Sequence, residues 1–159
     1  MNAERARTFL LGLPHVVESE QWGGLVFWVG DKAVGGKMFA MLHLDGHGHP
    51  IFYPAGQERY AELLEREGIV PAPYMARIWW VAAERWDVFR EREWDEELRA
   101  GHALVYEKLP PKVKTVLALP KAEFKRALDA GRKRRAEWEL AQEVKKAGKR
   151  KTKSPMNLD

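Results

Sequence analysis

At 159 residues, with 45% apolar and 11% aromatic side chains, the chain is long enough to bury a core as one domain with a short appendage. It has no cysteine, which excludes disulfides, zinc–thiolate sites and thiol catalysis and fits a reducing cytoplasm. The net charge of +4 is uneven: residues 1–120 carry 14 Lys+Arg against 17 Asp+Glu, and residues 121–159 carry 13 against 6, so a mildly acidic body bears a basic C-terminal segment.

Ala6, Phe9, Leu10 and Leu13 recur at helical spacing and predict a first helix that Pro14 ends. From Val16 to Tyr53 the period changes to two. Strands are expected at Leu25–Val29, Lys37–Leu42 and Pro50–Tyr53, with a further one at Val16–Glu20. Turns are expected at Asp31–Gly36 and around Asp45-Gly46, and together these elements predict an antiparallel meander.

Gln57–Glu67 returns to helix, with Gly68 placed as its C-terminal cap. Pro71 and Pro73 then forbid helix and hold the chain extended before a strand at Ile78–Ala83. On that strand Trp79 and Trp80 would point to opposite faces, which leaves at least one of them outside the main core. A helix from Asp95 carries Leu98, Val105 and Leu109 inward and stops at Pro110-Pro111. A short helix at Val113–Leu119 and a long one from Pro120 toward Ala147 follow, Gly131 and the Arg132-Lys133-Arg134-Arg135 cluster interrupting its apolar stripe. The expected organisation is an α+β domain at 1–111, a basic helical extension at 112–147, and a basic, disordered tail at 148–159. No run approaches the ~20 apolar residues of a membrane span, and the first thirty residues do not read as a signal peptide, so no membrane partner and a cytoplasmic setting are expected.

The succession Leu13-Pro14, Trp22-Gly23, Phe27-x-Val29-Gly30, Gly36-Lys37-Met38-Phe39-Ala40, Gly68-Ile-Val-Pro71-Ala-Pro73-Tyr74 and Trp80-Val81 resembles the MmcQ/YjbR family. The resemblance covers roughly Glu4 to Leu109. It implies a CyaY-like α/β sandwich, an antiparallel sheet backed by the N-terminal and later helices, in a double-wing arrangement labelled DNA-binding by analogy of shape. Two places depart from the family pattern. Phe52-Tyr53-Pro54 lacks a lysine that many members carry there, and Met75-Ala76-Arg77 leaves one cation where paired polar or basic residues are common.

Lys32 and Lys37 flank the Gly35-Gly36 turn, Arg77 lies on the proline loop, and Arg132, Lys133, Arg134 and Arg135 form the densest basic cluster. Cations so distributed predict nonspecific contact with DNA or another polyanion, and no segment offers Asn, Gln and Arg in the manner of a recognition helix. The alternative is a module for an unidentified small molecule or protein that uses the aromatic strand and the Pro71-Ala72-Pro73 loop, with Trp22, Tyr74 and Trp79 lining a groove. His43, Asp45, His47 and His49 have metal-ligand chemistry, but Asp-Gly-His-Gly-His-Pro is the composition of an exposed turn. Glu18 and Glu20 are spaced as on an exposed strand face, and neither Ser19 nor Ser154 lies in a nucleophile pattern. The expectation is therefore no enzyme, no metal and no cofactor.

Overall fold

The computed structural model describes residues 1–153. In chain order the elements are α1 (Ala3–Leu11), β1 (Val16–Gln21), β2 (Gly24–Val29), β3 (Lys37–His43), β4 (Ile51–Pro54), α2 (Tyr60–Leu64), β5 (Ile69–Pro71), β6 (Trp80–Ala83), α3 (Glu91–Lys108), α4 (Pro111–Leu117) and α5 (Lys121–Thr152). The six strands form one sheet in the order β1-β2-β3-β4-β6-β5, every neighbouring pair antiparallel. The expected α+β sandwich is the fold observed.

Alternation along the strands divides the apolar residues between two faces. Leu25, Phe27 and Val29 of β2, Leu42 of β3, Ile51 and Tyr53 of β4, and Val81 and Ala83 of β6 face α1 and α3, which contribute Ala6, Leu10, Trp94 and Leu98. Val26, Trp28, Met41, Phe52, Trp80 and Ala82 make a second cluster on the other face. That face is closed by Met38, Val70, Ala72 and Met75, from strands and the loop after β5 rather than from a helix. A bulge opposite Phe27 and Trp28 lets both Phe39 and Ala40 join the first core.

Several elements differ from the sequence expectation. The predicted helix at Gln57–Glu67 shrinks to the five residues of α2, which has no side-chain cap and buries only Leu63. Gly68 does not cap it. Its φ of +87° turns the chain into β5, and a Cβ there would lie 2.6 Å from Val88. The proline loop contains β5 itself, an edge strand paired with β6, where Pro71 is tolerated because one side has no neighbour. β6 begins at Trp80 rather than Ile78, because residues 76–78 form a 3-10 turn closed by Trp79 in the left-handed region. α3 begins four residues early at Glu91, since Trp94 is fully buried and its Nε1–H donates to the Trp86 carbonyl at 2.8 Å.

Residues 112–130 are packed onto the body. Leu117 joins the main core, and Val113 and Phe124 lie against it. α5 then crosses the Lys32–Val34 turn at Gly131, where a Cβ would sit 2.2 Å from the Ala33 carbonyl oxygen. The glycine that interrupts the stripe is what lets helix and turn meet backbone to backbone. Helix continues to Thr152, so residues 148–152 of the expected disordered tail are helical, and residues 154–159 lie outside the described region.

Two polar groups are buried beneath the helices. Glu97 on α3 accepts from the Tyr53 hydroxyl at 3.0 Å and pairs with Arg59, so its charge is compensated. Burial, then the neighbouring Glu97 charge, pushes the Tyr53 phenol far above its usual range. His102 donates its Nε2–H to the Pro14 carbonyl at 2.8 Å, and desolvation outweighs this bond to lower its pKa. Nearby His15 lowers it further, while Tyr106 stacks on the ring and Phe39 meets it edge-on. This contribution to stability is complete above the unfolded histidine value of about 6.5 and is lost as pH falls from there through the lower folded value. We expect the urea midpoint of the parent to drop more between neutral and mildly acidic pH than that of His102→Gln. Equal drops would refute this.

Candidate functional site

The registers place the sequence-predicted cations relative to one another. Val29 lies opposite Lys37, and Pro54 opposite Trp80. The Gly30–Gly36 connection and the Pro71–Trp79 loop therefore occupy the same end of the sheet, here called the upper end. Lys32, Lys37 and Arg77 share it, and α5 crosses it at Gly131. Along the strand order, β2 and β6 are three strands apart, roughly 14 Å.

Local chemistry builds the Gly30–Gly36 connection. Asp31 accepts from the Ala33 N–H at 2.8 Å and caps a 3-10 turn at Lys32–Val34, and Gly35 leaves it at φ +91°. The Lys32 ammonium sits 4.2 Å above the Trp28 ring, whose indole N–H donates to the Ser19 hydroxyl at 2.9 Å. Arg132 reaches Asp31 at 3.2 Å, and Arg135 reaches Glu139 at 3.0 Å along the helix. Between β1, β2 and α5 these residues border a cleft of about 400 Å³, with Trp28, Lys32, Arg132 and Arg135 on its walls.

The cleft is not positively charged. Lys32, Arg132 and Arg135 are matched by Glu18, Asp31 and Glu139 in the same lining. Two of the four clustered cations are thus spent on carboxylates, and Lys32 on an aromatic ring. Lys37, Arg77, Lys133 and Arg134 have no ion-pair partner among the described residues.

Beyond Gly131 every residue of α5 but Gln142 is exposed, over a stretch of about 32 Å. Residues 132–153 hold ten Lys/Arg against three Glu. Lys145, Lys146, Lys149, Arg150 and Lys151 have no ion-pair partner among the described residues. Lys149, Arg150 and Lys151 fall in the last turn, where cations oppose the helix dipole. The exposed Leu140 and Val144 lie on the side of this helix away from Gly131.

The other sequence-predicted groups do not assemble. Trp22 sits in the β1–β2 turn at the lower end, away from Tyr74 and Trp79, so the three line no common groove. Trp79 instead meets the Tyr60 ring edge-on at 5.3 Å. His43 Nδ1 faces the His49 carbonyl at 3.0 Å and Asp45 accepts from the His47 N–H at 3.1 Å. Among the described residues no three metal-ligating side chains come together. Arg7 holds the Glu18 carboxylate through both its oxygens, which lowers its pKa, so this side chain is engaged in a surface ion pair. Sequence reasoning missed Asp31 as cap and ion-pair partner. It also missed the role of Gly131, which nothing local distinguishes from Gly148 of the same helix, where a Cβ would meet nothing within 4 Å.

Among the described residues no helix is long and apolar enough to cross a membrane. A family model described as YjbR matches residues 11–104, ending within α3, with α4 and α5 beyond it. The crystal structure of Deinococcus radiodurans protein DR2400, with family-model domain DUF419, is similar in fold. Its TM-score is 0.64 at 24% identity, covering 75% of this chain and 89% of that one. No curated protein matches.

Proposed function

Given that the chain belongs to the YjbR family, we propose that it is a non-enzymatic protein that associates with nucleic acid, weakly and without sequence preference. The observation that carries this reading is the free half of α5. It is a long exposed helix whose cations are mostly without an ion-pair partner among the described residues and whose supporting half is fixed to the body at Gly131. Lys37 and Arg77, at the end of the sheet that α5 crosses, add charge from the globular part. Lys32 contributes less than the sequence implied, because its ammonium is already engaged with Trp28. Phosphate contacts of this kind position a protein on a backbone but read no bases.

For the alternative, a small-molecule or protein module using the aromatic strand and the Pro71-Ala72-Pro73 loop, Trp22 stands at the other end of the sheet from Tyr74 and Trp79, so the three share no groove. The test is titration of labelled DNA by the full chain across salt. We expect the logarithm of the association constant to fall linearly with the logarithm of salt, with a slope of about −0.9 per phosphate contact on duplex. No binding at low salt would refute the proposal.

A further inference from the structure

Resting on that reading, we infer that the nucleic acid is single-stranded and that Tyr74 is a stacking platform for one of its bases. Residues 72–75 form a turn closed by the Met75 N–H on the Ala72 carbonyl at 3.1 Å, with Pro73 second and Tyr74 third at φ +64°. Proline followed by a positive φ is the pattern that favours glycine at the third position. Here that position carries a tyrosine at 101% relative exposure, so its ring makes no packing contact that would offset the backbone strain.

The loop itself is anchored. Ala72 is buried and its N–H donates to the Trp80 carbonyl at 3.1 Å, while Met75 packs on the second apolar cluster. The ring is therefore held out from a fixed base, which limits the ordering entropy of binding. Arg77 stands three residues on, exposed and without an ion pair among the described residues, in position to meet a phosphate beside the stacked base. Trp22 is also exposed at positive φ, but it sits at the lower end, away from these cations. An exposed ring is useful to a single strand, whose base faces are free, and useless to a duplex, whose faces are stacked.

The experiment compares a short labelled oligothymidine with a duplex of the same length, using the full chain and its Tyr74→Ala and Tyr74→Phe variants. The parent is expected to bind the single strand more tightly at equal salt. Tyr74→Ala should weaken that binding about tenfold while leaving duplex affinity and the salt slope unchanged, and Tyr74→Phe should retain it. If Tyr74→Ala has no effect, or weakens both nucleic acids equally, the inference is overturned while the broader proposal stands. If the parent binds neither, the broader proposal falls and takes this inference with it.

Discussion

Replacing Gly36 with alanine is expected to destabilise the protein by about 3 kcal/mol, the largest loss from adding a single methyl group anywhere in the upper end. The added Cβ would sit 1.7 Å from the Gly30 carbonyl oxygen, 2.2 Å from its carbon and 2.8 Å from the Val29 oxygen. All three are backbone atoms, so no side chain can rotate away, and the β2–β3 connection itself must open. That connection is also a platform. Leu117 lies against Gly30, Val113 against Gly35 and Gly131 of α5 against Ala33, so its displacement loosens α4 and α5 together. Gly46→Ala is the control, because its Cβ meets nothing within 4 Å and adds only the local cost of a φ of +70°. Urea midpoints decide the matter. If Gly36→Ala loses no more than Gly46→Ala, the close approach is not what requires glycine here. The tryptophan signal gives a second readout, since an opened connection carries Lys32 off the Trp28 ring.

The meander was legible because period-two alternation from Val16 to Tyr53 is a strong local signal, and the registers of β1 to β4 follow it. β5 was not legible. Three residues containing a proline carry no periodicity, and only the partner strand β6 makes them a strand. Trp79 was misplaced on β6 for a related reason. The residue type suits a strand, but the Trp79 N–H closes a local 3-10 turn on the Ala76 carbonyl at φ +64°, and its own carbonyl accepts from the Ala55 and Gly56 N–H groups. The basic cluster was plain as composition, while its partial neutralisation was not. Asp31 lies 101 residues from Arg132 in sequence and becomes its partner only through the crossing at Gly131. Charge counts locate cations, but the fold decides which of them remain available to a ligand.

That distinction separates the two basic groups of α5, and neutralising them in turn should give unequal results. Changing Lys145, Lys146, Lys149, Arg150 and Lys151 to glutamine is expected to weaken nucleic-acid binding on the order of a hundredfold at moderate salt. The salt slope on duplex should lose as much as about 4.5 units, near 0.9 for each phosphate contact removed. Changing Arg132, Lys133, Arg134 and Arg135 should cost less, even though they are contiguous, because Arg132 and Arg135 already answer to Asp31 and Glu139. Removing Arg132 would in addition leave Asp31 free to repel phosphate, so that variant should lose affinity with a smaller change in slope per residue. Glutamine keeps helix propensity close to that of lysine and arginine, and circular dichroism checks that α5 survives the loss of the cations that oppose its dipole. If the proximal four prove dominant, the ion pairs at the crossing must open on binding. The polyanion would then lie in the cleft beside Trp28 rather than along the free half of the helix.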